Sequence, residues 1–283
     1  MTDSLLLPAP AKLNLFLHIL GRRLDGYHQL QTIFQLLDYG DELHFKKRND
    51  SELLLQCEQS EFNTPDNLVL QAAGALQTHC GVKAGVDITL RKHLPAGGGL
   101  GGGSSDASTT LLALNHLWKC QLSIEELADL GHRLGADVPI FVRGRTAWGE
   151  GVGEKLQALD LPELYYLVVK PECSVSTAQI FADPELTRDS APITVAAFLE
   201  RGGRNDCQAV VEKRHPEVKE AIDWLMNHAV DSDLVLMTGT GACVFARFNS
   251  KSAATQLRDQ CPWPAFIGKG INQSPVHGIL AKL

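Results

Sequence analysis

One window constrains this chain more than any other. In Leu94-Pro95-Ala96-Gly97-Gly98-Gly99-Leu100-Gly101-Gly102-Gly103-Ser104-Ser105, six of the seven residues from 97 to 103 are glycine. The chain has 25 glycines in 283 residues, so an average window of that size would hold fewer than one. Just before the run, Val86, Ile88 and Leu90 alternate with Asp87, Thr89 and Arg91, the period-two pattern of a strand. Just after it, a helix is expected from about Ser105 to Trp118. Glycines between a strand and a helix let the backbone turn its N–H groups inward, and the helix N-terminus adds partial positive charge. Such a loop is a cradle for phosphate.

Several readings of the loop compete. A flexible linker would be more polar and would lack such firm flanks. A dinucleotide site is met formally, since Gly97, Gly99 and Gly102 fit GxGxxG. In so dense a run that match is nearly automatic. The acidic residue that pattern wants falls where Ser123-Ile124-Glu125-Glu126 opens a helix with a capping box. No lysine follows the last glycine, which excludes a P-loop. An ATP phosphate loop of a non-Walker kind fits best.

Elsewhere strands and helices are mixed, so the fold class is α+β. Leu13, Leu15, Leu17 and Ile19 alternate with Lys12, Asn14, Phe16 and His18, which predicts a strand with one apolar face. Gly21 to Gly26 reads as a turn, and Leu43–Lys47 and Leu53–Cys57 as short strands. Asn67–Cys80 reads as a helix with Asp66 as N-cap and Gly81 past its end. Leu127, Leu130 and Leu134 give the helix after Ser123 a buried stripe, with Gly135 as its stop. Leu164–Lys170 is a continuous apolar strand behind Leu161-Pro162, and the domain boundary is placed near it, giving segments 1–160 and 161–283. The second segment is expected to hold helices near 195–200, 206–214 and 217–228, and strands at 234–237, 242–248 and 265–269.

Composition narrows the partners. A net charge of −7 argues against nucleic acid or an anionic membrane as a bulk partner, and leaves room for a local anion pocket. No apolar run reaches the ~18 residues a membrane helix needs. Asp3, Pro8 and Pro10 stand where a signal peptide would carry basic and apolar residues. The seven cysteines form no CxxC pair and the ten histidines no HExxH, so reduced thiols and no zinc site are expected. The expectation is a cytoplasmic protein, its assembly left open between a monomer and a homodimer.

Three further segments join the glycine loop. Pro10-Ala11-Lys12-Leu13-Asn14-Leu15 puts Lys12 and Asn14 on one strand face, which alone could be a solvated edge. Gly135-Ala136-Asp137-Val138-Pro139 puts an aspartate between a helix stop and a proline-restricted residue, which alone could be a loop or cap aspartate. Thr238-Gly239-Thr240-Gly241-Ala242-Cys243 is a second glycine turn, which alone could be a plain hairpin. Together they are far more specific. The chain resembles the GHMP small-molecule kinases, whose motifs are an N-terminal strand with lysine, an LPxGxGLGxSS-type loop and a late glycine turn. Within that superfamily, Asp25-Gly26-Tyr27-His28, the Ser105-Asp106-Ala107 continuation of the loop and Asn205-Asp206 resemble the branch acting on a cytidine-diphosphate-linked methylerythritol. The resemblance runs from about residue 8 to 280.

The resemblance implies a two-lobed fold with the active site in the cleft between lobes. It also implies transfer of the ATP γ-phosphoryl to a substrate hydroxyl, the 2-hydroxyl, in the non-mevalonate isoprenoid pathway. Phosphoryl transfer is mostly positioning and charge stabilisation. On that basis Pro95 to Ser105 are expected to hold the ATP phosphates, with Ser104 and Ser105 reaching phosphate or Mg2+ and Ser105 the metal candidate. Asp137 is the candidate general base, and Lys12 is expected to pair with it and orient the hydroxyl, supported by Asn14. For the base, Tyr27 can stack on cytosine, and His28 can read its edge with backbone groups of both residues helping. Phe181 in Thr177-Ala178-Gln179-Ile180-Phe181 matches the family's second aromatic, with Thr177 beside it. Asn67, Leu68 and Lys92 match positions lining the adenine pocket. Two alternatives stay open: a GHMP kinase for homoserine, mevalonate or a sugar, and a non-catalytic sensor of ATP and a metabolite. A sensor is expected to have lost Lys12 or Asp137. The segment around 183–204 has no firm match.

Overall fold

The computed structural model describes residues 3–283. The chain opens with two long antiparallel strands, β1 (Ser4–Arg22) and β2 (His28–Lys47). A tight turn joins them, in which the Gly26 amide donates to the Arg23 carbonyl at 3.1 Å and Gly26 adopts φ +89°. β3 (Leu53–Cys57) leads to α1 (Leu68–Cys80), then β4 (Val86–Arg91), the glycine loop and α2 (Gly102–Leu117). α3 (Ile124–His132), α4 (Val138–Arg143) and the hairpin β5 (Ala147–Gly151) and β6 (Lys155–Ala158) follow. The rest runs β7 (Tyr165–Val169), α5 (Thr177–Ala182), α6 (Val195–Arg201), α7 (Gln208–Arg214), α8 (Pro216–His228) and β8 (Val235–Met237). It ends with β9 (Val244–Phe248), α9 (Lys251–Arg258), β10 (Ala265–Ile271) and α10 (Pro275–Leu280). Among the described residues no helix is long and apolar enough to cross a membrane.

The strand path is β3-β4-β2-β10-β7-β9-β8, with β1 and β5 also paired to β2. β10 bridges the halves, pairing with β2 at Gly270–Ile271 and with β7 at Ala265–Lys269. β1 threads three cores in turn. Leu5, Leu7 and Ala9 pack with α1 and α2, Leu13, Leu15 and Phe16 with Tyr166 and Phe245, and Leu17 and Ile19 with Leu167 and Val244. One strand thus fixes the first half of the chain against the second by apolar burial on both sides of the cleft.

The expected one-sided β1 is corrected: Lys12, Asn14, Phe16 and His18 are buried as fully as their apolar neighbours. The polar face looks into a cleft and the second core, not into solvent. The register slips between Pro10 and Lys12 and again between Asn14 and Leu17, and such bulges re-aim side chains. Other boundaries move for local reasons. Asn67, not Asp66, caps α1, its side chain accepting from the Val69 amide at 2.9 Å. α2 begins at Gly102 rather than Ser105, so the last glycines of the run lie in the helix. α3 ends at His132, before Gly135. The capping box at Ser123 and Glu126 forms as expected. α4, α5, α9 and α10 had no sequence signal, because six to eight residues are too few for a helical period to show.

Candidate active site

The glycine loop is held by the late glycine turn, which spans the β8–β9 hairpin. The Ala242 and Cys243 amides donate to the Gly97 and Gly98 carbonyls at 3.2 Å each. Thr238 Oγ1 donates to the Gly99 carbonyl at 3.3 Å and accepts from the Asn14 amide at 2.9 Å. Asn205 steadies the turn from behind, its Nδ2 donating to the Met237 and Gly239 carbonyls at 2.8 and 2.7 Å. These contacts demand glycine in the loop. A Cβ on Gly99 would lie 2.3 Å from the Thr238 carbonyl oxygen. Gly101, the N-cap of α2, has φ +73°, and a Cβ there would lie 2.8 Å from the Phe141 ring.

The loop walls a cavity of about 410 Å³ that Asn67, Leu68, Lys92, Pro95, Ala96 and the run from Gly97 to Ser104 all line. Ser105 stands apart. Its hydroxyl is fully buried, does not line this cavity, and has no hydrogen-bond partner among the described residues. Lys92 is locked between two carboxylates, Asp41 and Asp106, the latter at 2.8 Å. Burial alone would lower its ammonium, but Asp106 and Asp41 together raise it above its ordinary value. Burial pushes the Asp106 carboxyl up against the opposing pull of Lys92. Asp41 also accepts from the His93 and Leu94 amides at 2.6 and 2.8 Å, which anchors the chain as it enters the loop. Asp41 carries no sequence signal, and Asp106 enters the sequence reading only as part of the loop's continuation, not as a site residue. Their partner lies 51 and 14 residues away, beyond any local pattern.

A second cavity, about 340 Å³, shares Gly99, Gly101 and Ser104 with the first. Lys12, Asn14 and Asp137 meet here. Lys12 Nζ is 3.4 Å from Asp137 Oδ2 and donates to Asn14 Oδ1 at 2.6 Å. Asn14 Nδ2 in turn donates to Thr32 Oγ1 at 2.9 Å, and the Lys12 ammonium sits 5.5 Å from the centre of the Phe34 ring. Asp137 occupies the N-cap position of α4 yet makes no capping hydrogen bond, so its carboxylate is left to face Lys12. It is the more open partner, 36% exposed against 4% for Lys12. Thr32 and Thr240 also line this cavity and carried no sequence signal of their own as site residues.

A third cavity, about 930 Å³, shares Leu30, Ala136, Thr177 and Phe181 with the second and adds Tyr27 and His28. Tyr27 is 65% exposed there. Its backbone is engaged in the turn, the amide donating to Asp25 Oδ1 at 3.1 Å and the carbonyl accepting from the Arg23 amide at 2.8 Å. The Tyr27 backbone is therefore not free to read a base, contrary to expectation, while its ring and the His28 ring line the cavity. Phe181 stacks on the His28 ring, centroids 5.0 Å apart and planes 21° from parallel. Thr177 Oγ1 and Thr240 Oγ1 are 2.7 Å apart, joining α5 to the late glycine turn.

Comparison with known proteins agrees with this layout. Residues 67–145 match the GHMP kinases N terminal domain, and residues 185–262 match the GHMP kinases C terminal domain. The 4-diphosphocytidyl-2-C-methyl-D-erythritol kinase of Pseudomonas aeruginosa is 55% identical over 285 residues, covering 100% of both chains. A crystal structure of 4-(cytidine 5'-diphospho)-2C-methyl-D-erythritol kinase superposes with a TM-score of 0.81 at 34% identity, covering 94% of this chain and 100% of that one. The homoserine kinase of Cytophaga hutchinsonii, at 17% identity, shares the fold with a TM-score of 0.67 over 97% of this chain and 96% of its own. The α+β chain with its site in the cleft therefore belongs to the GHMP kinases, in their 4-diphosphocytidyl-2-C-methyl-D-erythritol kinase family.

Proposed function

We propose that this cleft transfers the γ-phosphoryl group of ATP to the 2-hydroxyl of 4-(cytidine 5'-diphospho)-2-C-methyl-D-erythritol, a step of non-mevalonate isoprenoid synthesis. The observation that carries the reading is the continuity of the three cavities. The Lys12–Asp137 pair lies between the glycine cradle on one side and Tyr27, His28 and Phe181 on the other. ATP phosphates would sit on the loop amides, and the base of the cytidyl substrate beside Tyr27. The acceptor hydroxyl then falls at Asp137, which takes its proton as the oxygen attacks phosphorus. Lys12 faces the same point and stabilises charge developing on the transferred group. Asn14 and Thr32 hold Lys12 in place.

Mg2+ would enter with the ATP phosphates, and Ser104, which lines both the loop cavity and the Lys12–Asp137 cavity, is the serine placed to meet it. Ser105, the candidate from sequence, lines neither cavity and lies buried behind the loop, so Ser104 would hold the ion with phosphate oxygens, and the ion would neutralise phosphate charge. Lys12 and Asp137 are both kept and face each other, which favours an enzyme over a sensor. The division of the chain near residue 160, and a monomer or homodimer as its assembly, belong to the same reading. An ATP-consumption assay across cytidyl methylerythritol, homoserine, mevalonate and galactose tests it. Turnover confined to the cytidyl compound is expected, and turnover confined to any other overturns it.

Base choice gives a sharper test. Cytosine and uracil present opposite hydrogen-bonding groups at the 4-position and N3, and a buried mismatch costs about 1–3 kcal/mol per group. The uridine analogue is expected to be at least ~10-fold poorer in kcat/KM. Tyr27→Ala is expected to raise KM for the cytidyl substrate while KM for ATP barely moves, since the exposed ring lines only the far cavity. Steady-state kinetics with both ligands decides it, and equal use of the uridine analogue would move the base pocket elsewhere.

A further inference from the structure

The segment joining α5 to α6 carries one side chain that reaches into the far cavity's wall. Arg188 donates through Nε to His28 Nε2 at 3.0 Å. Its Nη1 donates to the Leu186 carbonyl at 3.0 Å, and its Nη2 to the Phe181 and Asp183 carbonyls at 2.9 and 2.7 Å. Leu186, between them, is buried in the core that also holds Leu17 and Ile19. One guanidinium thus ties the start of β2 to the end of α5, where Phe181 stacks on the His28 ring.

The chemistry of that contact has a single direction. A guanidinium only donates, so the His28 Nε2 that faces it must accept and carries no proton. Burial first, then the charges of Arg188 and Arg22, hold the His28 imidazole below its ordinary value, so the ring is neutral near pH 7. A neutral ring with a bare Nε2 has its proton on Nδ1. Nδ1 has no partner among the described residues, and His28 lines the cavity assigned above to the cytidyl base.

We infer that Arg188 is a positioning residue that fixes His28 as the Nδ1–H tautomer, so that the ring offers a hydrogen-bond donor to an acceptor of the substrate's pyrimidine. The inference rests on the cytidyl reading of that cavity. The acceptor is the 2-carbonyl or, for cytosine and not for uracil, N3. Without Arg188 the ring is free to place its proton on Nε2 and turn an acceptor toward the same pyrimidine atom, leaving two acceptors opposed.

Nitrogen-15 spectra of the histidine-labelled full chain, with His28 assigned from a His28→Gln spectrum, read the tautomer directly in the free protein. Wild type is expected to show a protonated Nδ1 and a bare Nε2. Arg188→Leu is expected to lose that preference and to raise KM for the cytidyl substrate about 10-fold, the effect of one lost hydrogen bond. KM for ATP and kcat at saturation should change by less than about two-fold, which a general loss of folding would not allow. Arg188→Lys, which keeps a donor for Nε2, should recover most of both effects. A tautomer unchanged in Arg188→Leu overturns the inference, and so does an unchanged cytidyl KM. A raised KM in both variants with the tautomer intact would assign Arg188 only to holding Phe181, and overturns it too. Failure of the cytidyl reading looks different: wild type would show the Nδ1–H form yet not turn over the cytidyl compound.

Discussion

Asp137→Asn is expected to lower kcat by at least ~10², the scale of losing a general base, with ATP affinity nearly unchanged. The side chain is partly exposed, makes no capping bond to α4, and touches the site through Lys12 at 3.4 Å. Asparagine has the same shape and preserves the N-cap position, so the fold should not register the change. Lys12 stays in place because Asn14 holds it at 2.6 Å from the other side. What is lost is the carboxylate that, in the proposed reaction, takes the proton from the acceptor hydroxyl. Single-turnover kinetics at saturating ligands, beside an ATP titration, separates chemistry from binding. A variant with wild-type turnover would return Asp137 to a structural place at the start of α4.

Gly101→Val is expected to damage ATP binding strongly. At φ +73° a β-branched residue is strongly disfavoured, and the first side-chain carbon already lies 2.8 Å from Phe141 and 3.3 Å from Lys12 Cε. The backbone must rotate, which turns the N-terminus of α2 away from the phosphates and shifts Lys12, whose amide donates to the adjacent Leu100 carbonyl at 3.0 Å. At about 1–2 kcal/mol for the backbone conformation alone, ATP affinity should fall at least ~10-fold. The cytidyl substrate, bound mainly in the far cavity, should lose less than about three-fold by calorimetry, with kcat reduced as well because Lys12 moves. Equal losses for both ligands in a folded variant would mean that the loop is no dedicated phosphate cradle.

The motifs of this site were legible one at a time because each is made of neighbours in sequence. The glycine run, the Lys12–Asn14 alternation, the Asp137 turn and the late glycine turn declare themselves by composition and spacing, and the helix after Ser123 by its capping box. Resemblance then joined them into a kinase. Short elements such as α4 and α5 stayed hidden, since one or two turns hold too few residues to express a period. The wider site was hidden for a different reason. Asp41 looks like any acidic residue, and Asp106 like a mere continuation of the loop, until Lys92 is placed between them.

Local pattern alone therefore predicts a phosphate cradle between a strand and a helix, since glycine freedom and helix polarity are local properties. Tertiary structure decided everything that depends on residues meeting from afar. It set Lys12 against Asp137 across 125 residues, seated the late glycine turn on the loop at Gly99, and gave His28 an arginine 160 positions away. The same packing settled which β1 residues face the cleft. A period-two pattern names two faces of a strand but not what covers each, and here bulges and three cores bury both.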